Sequence, residues 1–297
     1  MQRTIKEILK PIAYPIFSAY YRLEEKLPSN KRDLSKDEYG KCSVCGLYTR
    51  FWYNKIIDTG SKIVVSCGFD KIFTEVINIT NSLHCKFCLS KYRVRCAATS
   101  LLNNIYGGKF KNINELIKLI EKKNVNLGIL ETSSTDGIFT GYDNLNNVIK
   151  SEYFDDVKWG EYKNKIRSEN LQALIFEDNS IDIVVALDVF EHVAEPMVAF
   201  SEVHRVLKTN GIAIITVPID DRIEKTSALA SVVNGMIEFH RDPAYHSDPL
   251  REEGALVFTE FGMDIVNNLK AAGYNITLGG YTTKKSKSKQ YVLVLKK

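Results

Sequence analysis

The stretch Glu169-Asn-Leu-Gln-Ala-Leu-Ile-Phe-Glu-Asp-Asn-Ser-Ile-Asp182, running on into Ile183-Val-Val-Ala-Leu-Asp188-Val-Phe-Glu191-His192-Val193, decides the fold. Its apolar, β-branched core from Ile181 to Ala186 is preceded by turn formers and followed by charged residues, which is the signature of a buried strand. Just downstream, Pro196 stands at a helix start, Ala199, Val203, Val206 and Leu207 line one face, and Asn210-Gly211 is placed to end the helix. A second β-branched run follows from Gly211 to Val217. Strand, helix and strand in that order are the unit of a parallel sheet with crossover helices.

The same alternation extends outward. Further strands are expected at Val125 to Glu131, Asn147 to Lys150, Lys163 to Arg167, Asn275 to Tyr281 and Gln290 to Leu295. Thr259 is expected to cap a helix in which Phe261, Ile265, Leu269 and Ala272 recur at helical spacing before Gly273. The last two strands flank the basic loop Lys284 to Lys289, which suggests an antiparallel pair closing the sheet. Residues 111–297 therefore read as one α/β domain, with Asn114 capping a first helix from Glu115 to Lys123.

Before that domain the text is of another kind. Met1 to Leu27 mixes bases with apolar residues and is broken at Pro11 and Pro15, suggesting two short amphipathic helices, and Asn30 to Tyr39 reads as a polar linker, so residues 1–40 form an N-terminal unit. Its apolar stretch is shorter than the ~20 residues of a spanning helix. Peripheral contact with a membrane or a glycosyltransferase is the alternative to simple packing of these helices. Residues 41–110 hold Cys42-Ser-Val-Cys45 and Cys85-Lys-Phe-Cys88, followed by a helical stretch from Ser90 to Tyr106. Two residues between cysteines let both thiolates converge on one ion, so Cys42, Cys45, Cys85 and Cys88 are candidate ligands of a structural zinc, while Cys67 and Cys96 read as buried thiols. Paired C-x2-C turns and the lack of a cleavage-site pattern favour a cytoplasmic protein. The 297 residues are 44% hydrophobic and 26% charged with a net charge of +4, which excludes a disordered chain and neither requires nor forbids a phosphate-bearing partner.

In a sheet of this kind the ligand lies beyond the carboxyl ends of the strands. The first such turn is Glu131-Thr-Ser-Ser-Thr-Asp-Gly137, with one glycine, and the second strand ends at Ser151-Glu152-Tyr153, placing the Glu152 carboxylate where it can accept from ribose hydroxyls. An ordinary surface glutamate is the alternative for Glu152.

The segment from Asn170 to Pro218 resembles the class I methyltransferases of the type 11 group. It shares their Asp-Asn-Ser-Phe-Asp-like run, their strand leading into Glu-His-Val, and a following Leu-Lys-Thr-Asn-Gly and Ile-Ile-Thr-Val-Pro. The resemblance implies a Rossmann-like methyltransferase sheet and S-adenosyl-L-methionine as cofactor. Asn170 and Leu171 would then contact the adenine, and Glu152 with Tyr153 the ribose. Glu131, Ser133, Gly137 and Asp188 would surround the methionine end.

Methyl transfer from a sulfonium needs an aligned acceptor, and a hydroxyl acceptor needs a base, for which His246 and then His192 are the candidates. His246 lies in a long insertion after the fifth strand, which is placed to act as a substrate lid. The combination of modules resembles methyltransferases of bacterial surface-polysaccharide clusters, implying a sugar hydroxyl of a glycan or of its lipid- or nucleotide-linked precursor. Three other readings stay open. One is an RNA methyltransferase, for which Lys86, Lys91, Arg93 and Arg95 beside the second knuckle speak. Another is a deoxysugar methyltransferase, and the last is a non-catalytic scaffold docking through residues 1–120.

Overall fold

The structure, a computed structural model, describes residues 37–53, 79–123, 127–132, 136–142, 145–248 and 251–297, together with Arg22 and Ile77. The expectations for the N-terminal helices and for Cys67 lie outside these residues.

The chain enters through three antiparallel strands, β1 (Glu38–Lys41), β2 (Tyr48–Tyr53) and β3 (Leu83–Cys85). The polar linker expected up to Tyr39 therefore ends earlier: Asp37, Glu38 and Tyr39 are buried, and the Asp37 carboxylate accepts the backbone N–H of Tyr53. Two helices follow, α1 (Tyr92–Asn104) and α2 (Ile113–Lys123). The cap of α2 is Asn112 and not the expected Asn114. Asn112 Oδ1 accepts from the Glu115 N–H while the Glu115 carboxylate returns to the Asn112 side chain and to the N–H of Lys111, a reciprocal cap of the first turn. Asn114 instead donates to the carbonyl of Cys45 and accepts from the Tyr142 hydroxyl, pinning the helix to the first cysteine turn.

The main sheet is built from β4 (Ile129–Thr132), β5 (Val148–Glu152), β6 (Tyr162–Lys163), β7 (Ile166–Ser168), β8 (Ile181–Leu187) and β9 (Leu207–Thr216). After an insertion come β16 (Asn275–Thr282) and β17 (Lys289–Lys296). Its order is β16-β17-β9-β8-β4-β5-β7-β6. β4 runs parallel to β5 and β8, β8 to β9, and β5 to β7, whereas β17 is antiparallel to β9 and β16 to β17. The mixed α/β class and the closing antiparallel pair are those expected. The single strand expected at Lys163 to Arg167 is a hairpin, because Asn164 and Lys165 both take left-handed backbone and turn β6 back on β7.

The β8 sequence shows how the core is divided. Ile183, Val185 and Leu187 pack on one face with Ile212 and Ile214 of β9, Val292 and Val294 of β17, and the apolar residues of the cysteine module and of α1 and α2. Val184 and Ala186 pack on the other with α3 (Pro196–Val206) and α4 (Ile265–Ala271). Covering both faces is what makes β8 a continuous apolar run. Among the described residues no helix lies between β4 and β5, and α1 packs against β17, β9 and β8 on that face. The cysteine module is thus one layer of the core that covers this sheet.

Two expected helix boundaries differ. Helix α3 ends at Val206, because Leu207 already pairs with Ile181 in the ladder, and Asn210 sits inside β9 at positive φ as an irregularity of the strand. Thr259 is in β15 (Thr259–Glu260) rather than capping α4, since it pairs with β10 (Ser227–Ala228). The rest of the insertion forms two antiparallel hairpins, β11 (Ala230–Val233) with β12 (Met236–Phe239), and β13 (Tyr245–Asp248) with β14 (Arg251–Leu256). Among the described residues no helix is long and apolar enough to cross a membrane.

Candidate active site and cysteine centre

The two C-x2-C segments form matching turns. Gly46 N–H donates to the Cys42 carbonyl and Leu89 N–H to the Cys85 carbonyl, and each turn closes on a residue at positive φ, Gly46 in one and Leu89 in the other. The turns face each other across β3, so that Cys42 Sγ lies 3.7 Å from Cys88 Sγ and Cys45 Sγ 3.9 Å from Cys85 Sγ. All four sulfurs lie within 4.8 Å of one another. A tetrahedral zinc with bonds of about 2.3 Å requires sulfurs roughly 3.8 Å apart, so this donor set fits that ion. Burial opposes ionisation of Cys42, but hydrogen bonds from the other three thiols and the nearby Arg95 overcome it and hold Cys42 well below the ordinary thiol range. Cys96 is buried in the core and is outside the cluster.

The second constellation lies at the carboxyl ends of β4, β5 and β8. Glu131 is fully buried, and its Oε1 accepts the backbone N–H of Phe139, bracing the turn that follows β4. A side chain at Gly137 would collide with that carboxyl group, so glycine here keeps the turn closed over Glu131. Burial pushes the Glu131 carboxyl up to about 7, although the turn's N–H groups oppose the shift. Glu131 is therefore placed to hold the loop. Its Oε2 has no hydrogen-bond partner, a buried polar atom of the kind a ligand or water completes. Ser133 lies outside the described residues.

Glu152 ends β5 one strand away, half-buried, with Tyr153 exposed beside it. Asn170 Oδ1 accepts from the Gln172 N–H in a local turn, and the Leu171 side chain packs into the core beside Leu174. Asp188, just past β8, holds left-handed backbone, and its N–H donates to the Thr216 carbonyl while its Oδ1 accepts from the Thr216 hydroxyl at 2.6 Å. A non-glycine residue held in that region stores strain, a feature that clusters at functional sites. Of the residues assigned to the cofactor, those among the described residues lie at one end of the sheet, and the unpartnered Glu131 oxygen is an atom there that a ligand or water could complete.

Arg93, read from the sequence as a base that could face RNA, has a buried role at the site that sequence reasoning missed. From the first turn of α1 its buried guanidinium donates to the Asp188 carboxylate and, at 2.7 Å, to Asp136. Lys91 pairs with the same Asp136 oxygen at 2.6 Å. Burial alone would raise Asp136, but Arg93 and Lys91 hold it below its ordinary value. Arg95 is also buried, donating to the carbonyls of Leu83 and Ser90, and Lys86 lies over the Trp52 ring. The bases read as a nucleic-acid surface are largely turned inward. The available signal was helical spacing, because Arg93 is one turn ahead of buried Ala97 and two ahead of Leu101.

His192 and His246 come together as edge-on rings with centroids 5.0 Å apart, both beside Glu191. Glu191 Oε1 is 3.8 Å from His192 Nε2 and 3.7 Å from His246 Nδ1. Burial pushes His246 down to about 3, with His192 adding to the shift, so its ring is neutral near physiological pH. His246 is on β13, and the hairpin is tied to the β8 turn by Phe258 N–H to the Glu191 carbonyl and by His192 Nδ1 to the Leu256 carbonyl. The insertion is thus anchored at the site.

Residues 131–215 match the family model described as a methyltransferase domain, of type 11. No curated protein matches the chain by sequence. Among solved structures the chain is similar to an S-adenosylmethionine-dependent methyltransferase of Mesorhizobium loti, at 13% identity over 58% of this chain and 91% of that one, with a TM-score of 0.38. It is also similar to the 1,6-didemethyltoxoflavin-N1-methyltransferase of Burkholderia thailandensis, at 14% identity over 61% and 75%, with a TM-score of 0.36. The sheet defines the class as a Rossmann-like α/β fold. The family match places a methyltransferase domain within that sheet, over residues 131–215.

Proposed function

We propose that the protein methylates a hydroxyl group of a sugar, in a surface glycan or in its lipid- or nucleotide-linked precursor, and that the cysteine centre carries a structural zinc. The observation behind this reading is the convergence of Asp188, Glu191, His192 and His246 at the end of β8, beneath a hairpin that can close on an acceptor. These groups suit recognition and deprotonation of a hydroxyl. Glu152 would hold the ribose of the cofactor and the turn braced by Glu131 its methionine end, with Arg93 as the buried cation beside Asp188. When bound, the cofactor supplies a methyl group on a positively charged sulfur. The protein's part is to align the acceptor oxygen behind that methyl, where positioning alone contributes about 7–11 kcal/mol to lowering the barrier. The burial of Arg93 and Arg95 speaks against RNA as the acceptor.

Titration with S-adenosylmethionine by calorimetry tests the first step, and a flat titration would favour the scaffold reading. Transfer of labelled methyl to cell-envelope glycan and to total RNA, run side by side, tests the second. Label is expected in the glycan, and labelling confined to RNA would overturn the proposal.

A further inference from the structure

The Glu191 carboxylate is an anomaly. It is fully buried, and neither oxygen has a hydrogen-bond partner. Its neighbours Asp136 and Asp188 are matched by Lys91 and Arg93, but among the described residues no Lys or Arg ion-pairs with Glu191. A carboxylate buried this deeply is costly unless it is neutralised, paired or bound to a metal. The two side chains facing it are both imidazoles, and the donor atoms of Glu191, His192 and His246 all lie within 4.8 Å of one another.

From this geometry we propose that Glu191, His192 and His246 form a second metal site, distinct from the four cysteines, which takes a divalent first-row transition ion and presents it to the acceptor hydroxyl. Two imidazole nitrogens and one carboxylate are a donor set for Mn, Fe, Co or Zn and leave coordination positions open for ligand oxygens. The orientation of His192 supports the assignment independently. Its Nδ1 contacts the Leu256 carbonyl at 2.7 Å, and since a carbonyl only accepts, Nδ1 carries the proton and Nε2, toward Glu191, carries the lone pair. Fixing a ligand imidazole through its other nitrogen is the usual outer-shell arrangement of a metal site. His246 comes from the β13–β14 hairpin and the other two ligands from the turn after β8, so an ion here would also clasp the lid to the sheet.

The inference rests on the proposed hydroxyl acceptor. The acceptor O–H would bind the ion and release its proton to solvent water. An oxygen electron pair then forms the O–CH3 bond as the C–S bond breaks, its pair staying on sulfur to leave a neutral thioether. In this arrangement the histidines act as ligands, and the cation takes the role otherwise assigned to a histidine base.

The test uses the full chain with its cysteine centre loaded with zinc, titrated with Mn2+ and followed by electron paramagnetic resonance, and separately with Co2+ followed by absorption. One further equivalent of at least one ion is expected to bind, with affinity falling tenfold or more in Glu191→Gln and in His246→Gln. If Glu191→Gln does not fold, His246→Gln, on the lid hairpin, carries the comparison. Failure of the native chain to take up either ion, or equal uptake by a folded variant, overturns the site. Cofactor titration of the same samples keeps the two readings apart: cofactor binding without metal uptake removes only the ion, and metal uptake without cofactor binding removes only the methyltransferase reading.

Discussion

At the scale of single residues, the first turn works through an acid and a glycine whose roles depend on each other. Glu131 is buried to brace the loop, and Gly137 leaves the room it needs. The cost of that arrangement is readable against pH. The Glu131 carboxyl rises from an ordinary 4.5 to about 7 on folding, so between those values the folded chain binds more protons than the unfolded one. Stability contributed by this group is full below 4.5 and is lost as pH rises through 7. At about 1.4 kcal/mol per pH unit, the loss between pH 5 and pH 8 is about 2–3 kcal/mol. Glu131→Gln stays neutral and keeps an acceptor oxygen for Phe139. Urea midpoints measured at pH 5 and pH 8 should therefore show the variant gaining on the native protein at the higher pH. Parallel pH profiles for the two proteins would show that Glu131 does not titrate in this range.

At the scale of elements, most of the sheet is legible in the sequence because its strands are buried on both faces and read as continuous β-branched runs. β8 and β17 are the clear cases, and the turn at Lys284 to Lys289 correctly implied the antiparallel pairing of β17 with β16. What escaped were features set by pairing partners distant in sequence. Leu207 leaves helix α3 because Ile181 offers it a ladder, and Thr259 is a bridge residue because Ser227 and Ala228 lie opposite. The candidate site divides in the same way between local and distant signals. The cysteine pairs announce themselves by spacing, and Asp188 and Glu152 by position after a strand, whereas Arg93 reaches Asp188 across 95 residues and no local pattern encodes that contact. The cap of α2 is a boundary that two candidate asparagines left open. Asn112→Ala should lower unfolding free energy by about 1 kcal/mol in urea denaturation, in the range for a lost side-chain cap. The corresponding change at Asn114 should act on the contact with the first cysteine turn instead, and an effect of Asn112→Ala near zero would reject the assignment.

At the scale of the whole molecule, the cysteine module and the sheet share one apolar core, and this would couple a zinc held by the four cysteines to the distant site. Leu101 and Leu102 of α1 pack in the same cluster as Ile183, Val185 and Ile214, and that cluster also contains Cys42, Cys45 and Cys85. Helix α1 begins just after the second knuckle and carries Arg93 in its first turn, so the position of the guanidinium between Asp136 and Asp188 depends on the closure of the knuckle. Zinc bound by four thiolates contributes on the order of 10–16 kcal/mol of apparent binding free energy. Its removal should therefore release more than the small sheet β1-β2-β3. Chelation, or Cys85→Ser, is expected to lower thermal stability in a single cooperative transition and to weaken S-adenosylmethionine binding at least tenfold, although among the described residues no cysteine is placed at the strand ends proposed to hold the cofactor. The decisive comparison is calorimetric unfolding, run with and without chelator, alongside cofactor titration of the same samples. Two separate transitions, with cofactor affinity unchanged after the first has melted, would mean that the cysteine module is an appended unit and that Arg93 holds its place without it.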